Sequence, residues 1–268
     1  MVELTSKFIS QSDGTQISID DYVNKKMKGK SFENMYYEPS GKKTRKADYG
    51  NIELSRSPGI ESPDSGRPTS TKESLLKELY ATRIEIADFA DTTEVGPKGT
   101  STVLKTEMGM NIVIPKGKIK ALHYFVKLYD PDNPSVKIVA LDGLPSDKLD
   151  IIKGPDVTVK IALSKTFQFI VGDIIPNPID VSLGPWTFPL WKVKKVTADF
   201  SDPGIDPEWF FQGDGIQHEL KVALSIEKPA GVKKIDAKVR AVWDLQTSVV
   251  DMIFPKLSDE EKIIHIWK

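Results

Sequence analysis

Three stretches of this chain alternate apolar and polar residues with a period of two, and that constrains the fold more than anything else in the sequence. VTVKIALS (157–164) puts Val157, Val159, Ile161 and Leu163 on one side. HELKVALSIE (218–227) does the same with His218, Leu220, Val222, Leu224 and Ile226, opposite Glu219, Lys221 and Ser225. In KIDAKVRAVW (234–243), Ile235, Ala237, Val239, Ala241 and Trp243 oppose Lys234, Asp236, Lys238 and Arg240. Successive side chains of a strand point to opposite faces, so this pattern describes antiparallel strands with one dry and one wet face. The short KPAGV link predicts that the last two runs form a hairpin.

KALHYFVKLY (120–129) is apolar on both sides and reads as a central strand. Further strands are expected near 110–115, 136–141, 166–172, 193–200 and 246–254. They are separated by the Pro- and Gly-bearing turns DPDNPS, DGLPSD, IPNPID and SDPGIDPE. Eight or nine strands with few helices predict a mainly β chain, an antiparallel β-sandwich or jelly-roll-like body.

Two helices are expected. Ser70 and Glu73 have capping-box spacing ahead of a Leu75, Leu76, Leu79, Tyr80 stripe, which predicts a helix over about 72–82. Ser258 and Glu261 repeat that spacing in LSDEEKIIHIWK and predict a short C-terminal helix.

The body is assigned to residues 73–268, and residues 1–72 to a flexible N-terminal arm, poor in apolar clusters and rich in Ser, Lys, Gly and Pro. Within the arm, residues 24–46 hold Lys25, Lys26, Lys28, Lys30, Lys42, Lys43, Arg45 and Lys46 against two glutamates, a net charge of +6. Ser57 and Ser62 each precede a proline and are open to proline-directed phosphorylation, which would add charge of the opposite sign.

Much chemistry is unsupported. There is no cysteine, so thiolate catalysis, disulfides and thiolate metal sites are absent. Three histidines lack metal-ligand spacing; His218 and His123 read as core residues, and His265 falls in the expected terminal helix. No nucleophile elbow or phosphate-binding glycine loop appears. Asp130, Asp132 and Asn133, with Asp202 and Asp206, offer oxygens of the kind calcium takes, but Asp-Pro and Asn-Pro are ordinary turn starters, and the turn reading is preferred. No catalytic, cofactor-binding or metal-binding residue is therefore assigned, and the chain is expected not to be an enzyme.

Interaction residues are easier to nominate. LGPWTFPLWK (183–192) carries Trp186, Phe188 and Trp191 on a proline-stiffened connection, and EWFF places Trp209, Phe210 and Phe211 in a second loop. These aromatics either close the end of the sandwich or form a sticky patch. With 37 basic and 38 acidic residues the net charge is −1, so any pull on nucleic acid or anionic lipid must be local. The sequence shows no signal-peptide pattern and no apolar run long enough to span a bilayer, so an intracellular or virion-associated location is expected.

In organisation, the partly basic N-terminal arm, cysteine-free antiparallel body and aromatic loops resemble viral structural proteins: capsid jelly rolls, and the matrix proteins of enveloped RNA viruses. The resemblance implies a non-enzymatic, self-assembling homo-oligomer that meets other assembly components, with RNA or an anionic membrane held by the arm. Two other readings stand beside it. One is a nucleic-acid-binding transport module of movement-protein type, acting through Lys42, Lys43, Arg45 and Lys46. The other is a calcium-dependent β-sandwich lectin or hydrolase using the acidic turns.

Overall fold

A computed structural model describes residues 1–11, 13–28, 68–145, 156–161, 183–189, 193–199, 206–216, 218–249 and 252–268. In chain order the elements are β1 (Val2–Leu4), β2 (Phe8–Ser10), β3 (Gln16–Ser18), α1 (Ile19–Lys28), α2 (Pro68–Ala81), β4 (Arg83–Ile86), β5 (Asp91–Lys98), β6 (Ser101–Val113), β7 (Lys118–Tyr129) and β8 (Val139–Leu144). They continue with β9 (Asp156–Ile161), β10 (Leu183–Pro189), β11 (Val193–Asp199), β12 (Glu208–Ile216), β13 (His218–Lys228), β14 (Ile235–Gln246), β15 (Ile253–Leu257) and β16 (Lys262–Trp267).

The strands form an antiparallel β-sandwich. Sheet A runs β1-β4-β6-β13-β8, with β5 also on β6; sheet B runs β11-β12-β7-β14-β15-β2-β3, with β16 also on β14. Among the described residues β9 and β10 pair with each other alone, and β10 lies against β13. Sheet A turns Leu104, Met108, Met110 and Ile112 of β6 and Leu220, Val222, Leu224 and Ile226 of β13 into the core. Sheet B answers with Tyr124, Val126, Trp209, Phe211, Val239, Ala241 and Trp243, and all of these belong to one apolar cluster. Period-two patterning thus sorts each strand into a core side and an outer side, as in sandwiches generally.

α2 covers one end of this core with Leu75 and Leu79. It begins at Pro68, before the expected Ser70 cap, because proline is well suited to the first helical turn, where its missing N–H costs nothing. Its buried Glu78 accepts hydrogen bonds from Ser248 N (2.7 Å) and Ser248 Oγ (2.9 Å). Lys256 of β15, fully buried, donates through Nζ to the Leu79 carbonyl. Gly117, at φ +84, passes so close that any Cβ would strike Gln246 O and the Glu78 carboxylate.

Several expectations are corrected. Residues 1–11 and 13–28, assigned to the flexible arm, are folded: β1 pairs with β4 and β2 with β15. Their few apolar residues are enough because Leu4, Ile9, Ile19, Tyr22 and Val23 all enter the shared core rather than forming one of their own. Ser18 caps α1, its Oγ accepting from Asp21 N at 3.1 Å. The remainder of the arm, 29–67, lies outside the described residues. β13 and β14 do not form a hairpin: β13 pairs with β6 and β8 and β14 with β7, so KPAGV carries the chain from one sheet to the other. The expected C-terminal helix is the strand β16, because Ser258 Oγ accepts from Ala241 N (3.2 Å) instead of capping a helix. The strand expected over 166–172 lies outside the described residues, and residues 183–189, expected as a loop, pair antiparallel with β9.

Candidate interaction face

The outer side of sheet B is unusually rich in rings and cations. In β7 it presents His123, Phe125, Lys127 and Tyr129; in β12, Glu208 and Phe210; in β14, Asp236, Lys238 and Arg240; in β16, Ile263 and His265. Strand register sets these residues in rows. Phe210 faces His123, Phe125 faces Arg240, and Tyr129, Asp236 and His265 line up across three strands. A further row reads Lys127, Lys238, Ile263.

At one end, the His123 ring stacks 3.9 Å from Phe125 and meets Phe210 edge-on at 5.8 Å, while its Nε2 lies 3.5 Å from Glu208. The Arg240 guanidinium sits 4.6 Å over Phe125, which holds a flexible cation in place. In the middle, Lys127 and Lys238 are directly opposed and both exposed, a like-charge pairing that disfavours the sheet. Lys238 is partly compensated by the Tyr129 ring at 5.8 Å and by Glu261 at 3.9 Å. Asp206 shares this neighbourhood. Partial burial pushes its carboxyl above the ordinary value, Lys127 pulls it down, Glu261 pushes it up and Arg240 again pulls it down.

At the other end, Phe89 joins the face. His265 donates its backbone N–H to Asp88 O (2.8 Å) and accepts from Ala90 N (2.8 Å), so residues 88–90 lie alongside β16. The Phe89 ring is 57% exposed, stacks 5.1 Å from His265 and carries Lys268 Nζ 4.3 Å above it. Ile263, two residues from His265 on the same side of β16, is 47% exposed. Phe89 and Ile263 are two of five large apolar side chains exposed among the described residues.

The Asp236 carboxylate and His265 Nδ1 are 2.8 Å apart, so the bond orients the imidazole.

The nominated residues scatter. Trp209 and Phe211 are fully buried in the core, while only Phe210 of that trio reaches the outer face, because consecutive strand residues alternate sides. Trp186 and Phe188 fall on β10, whose side chains are outside the described residues, as is Trp191. Lys25 is exposed on α1; Lys26 and Lys28 continue that helix with their side chains undescribed, and Lys30, Lys42, Lys43, Arg45 and Lys46 lie outside the described residues. His123 is on the outer face rather than in the core, and the side chain of His218 is not described. Asp130 uses its carboxylate on Asp132 N (2.9 Å), the turn-starting bond, and Asp202 lies outside the described residues. Among the described residues no group of three or more His, Asp or Glu side chains is placed to hold a metal ion. Sequence reasoning missed Phe89, Lys127, Lys238, Arg240, Ile263 and Lys268 as a group, since register brings them together from distant strands.

No family model and no curated protein matches this sequence. Among solved structures, it is similar to one described as a pore forming protein, at 10% identity and TM-score 0.34, over 69% of this chain and 90% of that one. It is similar to Clostridium perfringens delta-toxin at 12% identity and TM-score 0.30, over 69% and 89%. It is also similar to the Clostridium perfringens NetB toxin in its membrane-inserted form, at 10% identity and TM-score 0.27, over 68% and 94%. The expected capsid- or matrix-like, self-assembling viral protein is thereby corrected, as is the movement-type alternative: these similar structures are of other kinds. Two of the residues nominated as contacts, Trp209 and Phe211, are core. Likenesses this slight carry no argument about what the chain does. Among the described residues no helix is long and apolar enough to cross a membrane.

Proposed function

We propose that this chain is a non-enzymatic binding module that docks on a lipid surface with the outer face of sheet B. The observation that supports it is that Phe89 and Ile263, both about half exposed, each lie next to His265 at one end of that face, Phe89 stacked on its ring and Ile263 two residues along β16. Exposed apolar side chains gathered in one place and bordered by cations mark an interaction surface. An aromatic ring with an ammonium above it suits the boundary between headgroups and acyl chains, where the ring is buried and the cation stays wet. Moving the exposed halves of Phe89 and Ile263 out of water gains about 1 kcal/mol each, so apolar contact alone gives weak, reversible attachment.

Co-sedimentation with lipid vesicles tests the proposal. The double variant Phe89→Ser/Ile263→Ser is expected to partition roughly 30-fold less well, the equivalent of about 2 kcal/mol. Wild type that stays in the supernatant at every lipid concentration refutes the proposal, as does a variant that binds like wild type.

A further inference from the structure

We infer that this face selects anionic lipid, through a phosphate-binding cluster made by Lys127, Lys238 and Arg240; the inference rests on the lipid-docking reading above. Three features of the cluster point that way. Lys127 and Lys238 are held opposite one another by strand register, with no freedom to separate at the backbone, so each raises the positive potential at the other. Arg240 lies two residues from Lys238 on the same side of β14 and opposite Phe125; stacking on that ring leaves the rim of its guanidinium to donate along the surface. All three are exposed. Ile263 continues the row of Lys127 and Lys238, so the apolar contact and the cations address one plane.

The like-charge opposition is a cost in the free protein, and an anion placed between the ammonium groups removes it. Glu261 and Asp206 relieve it in part, from beside the cations. A lipid headgroup presents a phosphate at the depth at which Phe89 and Ile263 enter the acyl boundary, and it fits both halves of the face.

The test uses the full chain, wild type and Lys127→Gln/Lys238→Gln/Arg240→Gln, on vesicles of phosphatidylcholine alone and of phosphatidylcholine with phosphatidylserine. Each cation at an anionic surface strengthens partition by about fivefold, so the triple variant should lose on the order of a hundredfold on the anionic vesicles at low salt, and less as salt rises. On pure phosphatidylcholine, whose phosphate is balanced by its own choline cation, the loss should be no more than a few-fold. All three side chains are exposed, and an unchanged thermal melt checks that the variant is folded. Equal preference of variant and wild type for anionic vesicles overturns the inference while leaving lipid docking standing. Failure of wild type to bind either vesicle overturns both. Release of wild type from anionic vesicles by millimolar inorganic phosphate at constant ionic strength shows that the cluster takes the free ion, and overturns the assignment to a headgroup.

Discussion

Replacing Lys256 with methionine should remove a specific piece of the protein's pH dependence. Lys256 is fully buried, with its ammonium donating to the carbonyl of Leu79 in the last turn of α2 and lying 5.5 Å over the Trp243 ring. A cation suits a helix C-terminus, whose last carbonyls lack intrahelical donors. Burial nonetheless pushes its pKa down from 10.5 to about 8, with the charge of Asp259 opposing. Below about pH 8 both folded and unfolded chains hold the proton, and keeping it in the core costs the fold about 3 kcal/mol. Between pH 8 and 10.5 only the unfolded chain binds the proton, so wild-type stability rises with pH across that window and flattens above it. From pH 7 to 10 the gain of wild type relative to Lys256→Met should be about 2.5 kcal/mol, all other titrations being common to both. At pH 7 the variant shows a smaller net change, because it also leaves the Leu79 carbonyl without its donor, at about 1–3 kcal/mol. Urea unfolding of both proteins at pH 7, 8.5 and 10 measures the difference directly. Stability curves that run parallel over that range would refute the reasoning, and would mean that Lys256 reaches water or is charged at the same cost in both states.

Two further substitutions test the packing. Gly117→Ala forces a side chain into a left-handed backbone position and against Gln246 and Glu78, and should destabilise by about 3 kcal/mol or more in denaturant melts; a loss below about 1 kcal/mol would mean the turn gives way freely. Trp209→Ala should cost about 3–5 kcal/mol and Phe210→Ala no more than about 1 kcal/mol, although the residues are adjacent, because only the first empties the core; equal losses would contradict the alternation.

In β13 and β14 each residue read as inward is inward wherever its burial is described, although Ser225 and Asp236, read as facing water, are buried as well. What alternation does not encode is the partner strand. The six residues between Lys228 and Ile235 suit a hairpin or a crossing between sheets, and the second is chosen by long-range pairing with β6 and β7. In EWFFQ three consecutive aromatics mask the period of two, and only the pairing of this stretch as a strand separates Trp209 and Phe211 from Phe210. KIIHIW is apolar on both sides, so no period of two competes with the capping spacing of Ser258 and Glu261, and only the bond from Ala241 N to the serine hydroxyl shows that no helix starts there. The interaction face was hidden for a different reason. Lys127, Lys238 and Ile263 are unremarkable where they stand, and only the register of three strands puts them side by side.

The bonding of His265 to Asp88 and Ala90 has a mechanical consequence. β16 is pinned to β14 of sheet B along one edge and to the chain entering β5 of sheet A along the other. A force that peels the two sheets apart must shear this seam first, so they should yield together in a single rupture rather than leaf by leaf. Phe89 and Ile263, the residues proposed to touch lipid, ride on that seam, and a load applied at the surface would pass through β16 into both halves of the sandwich at once.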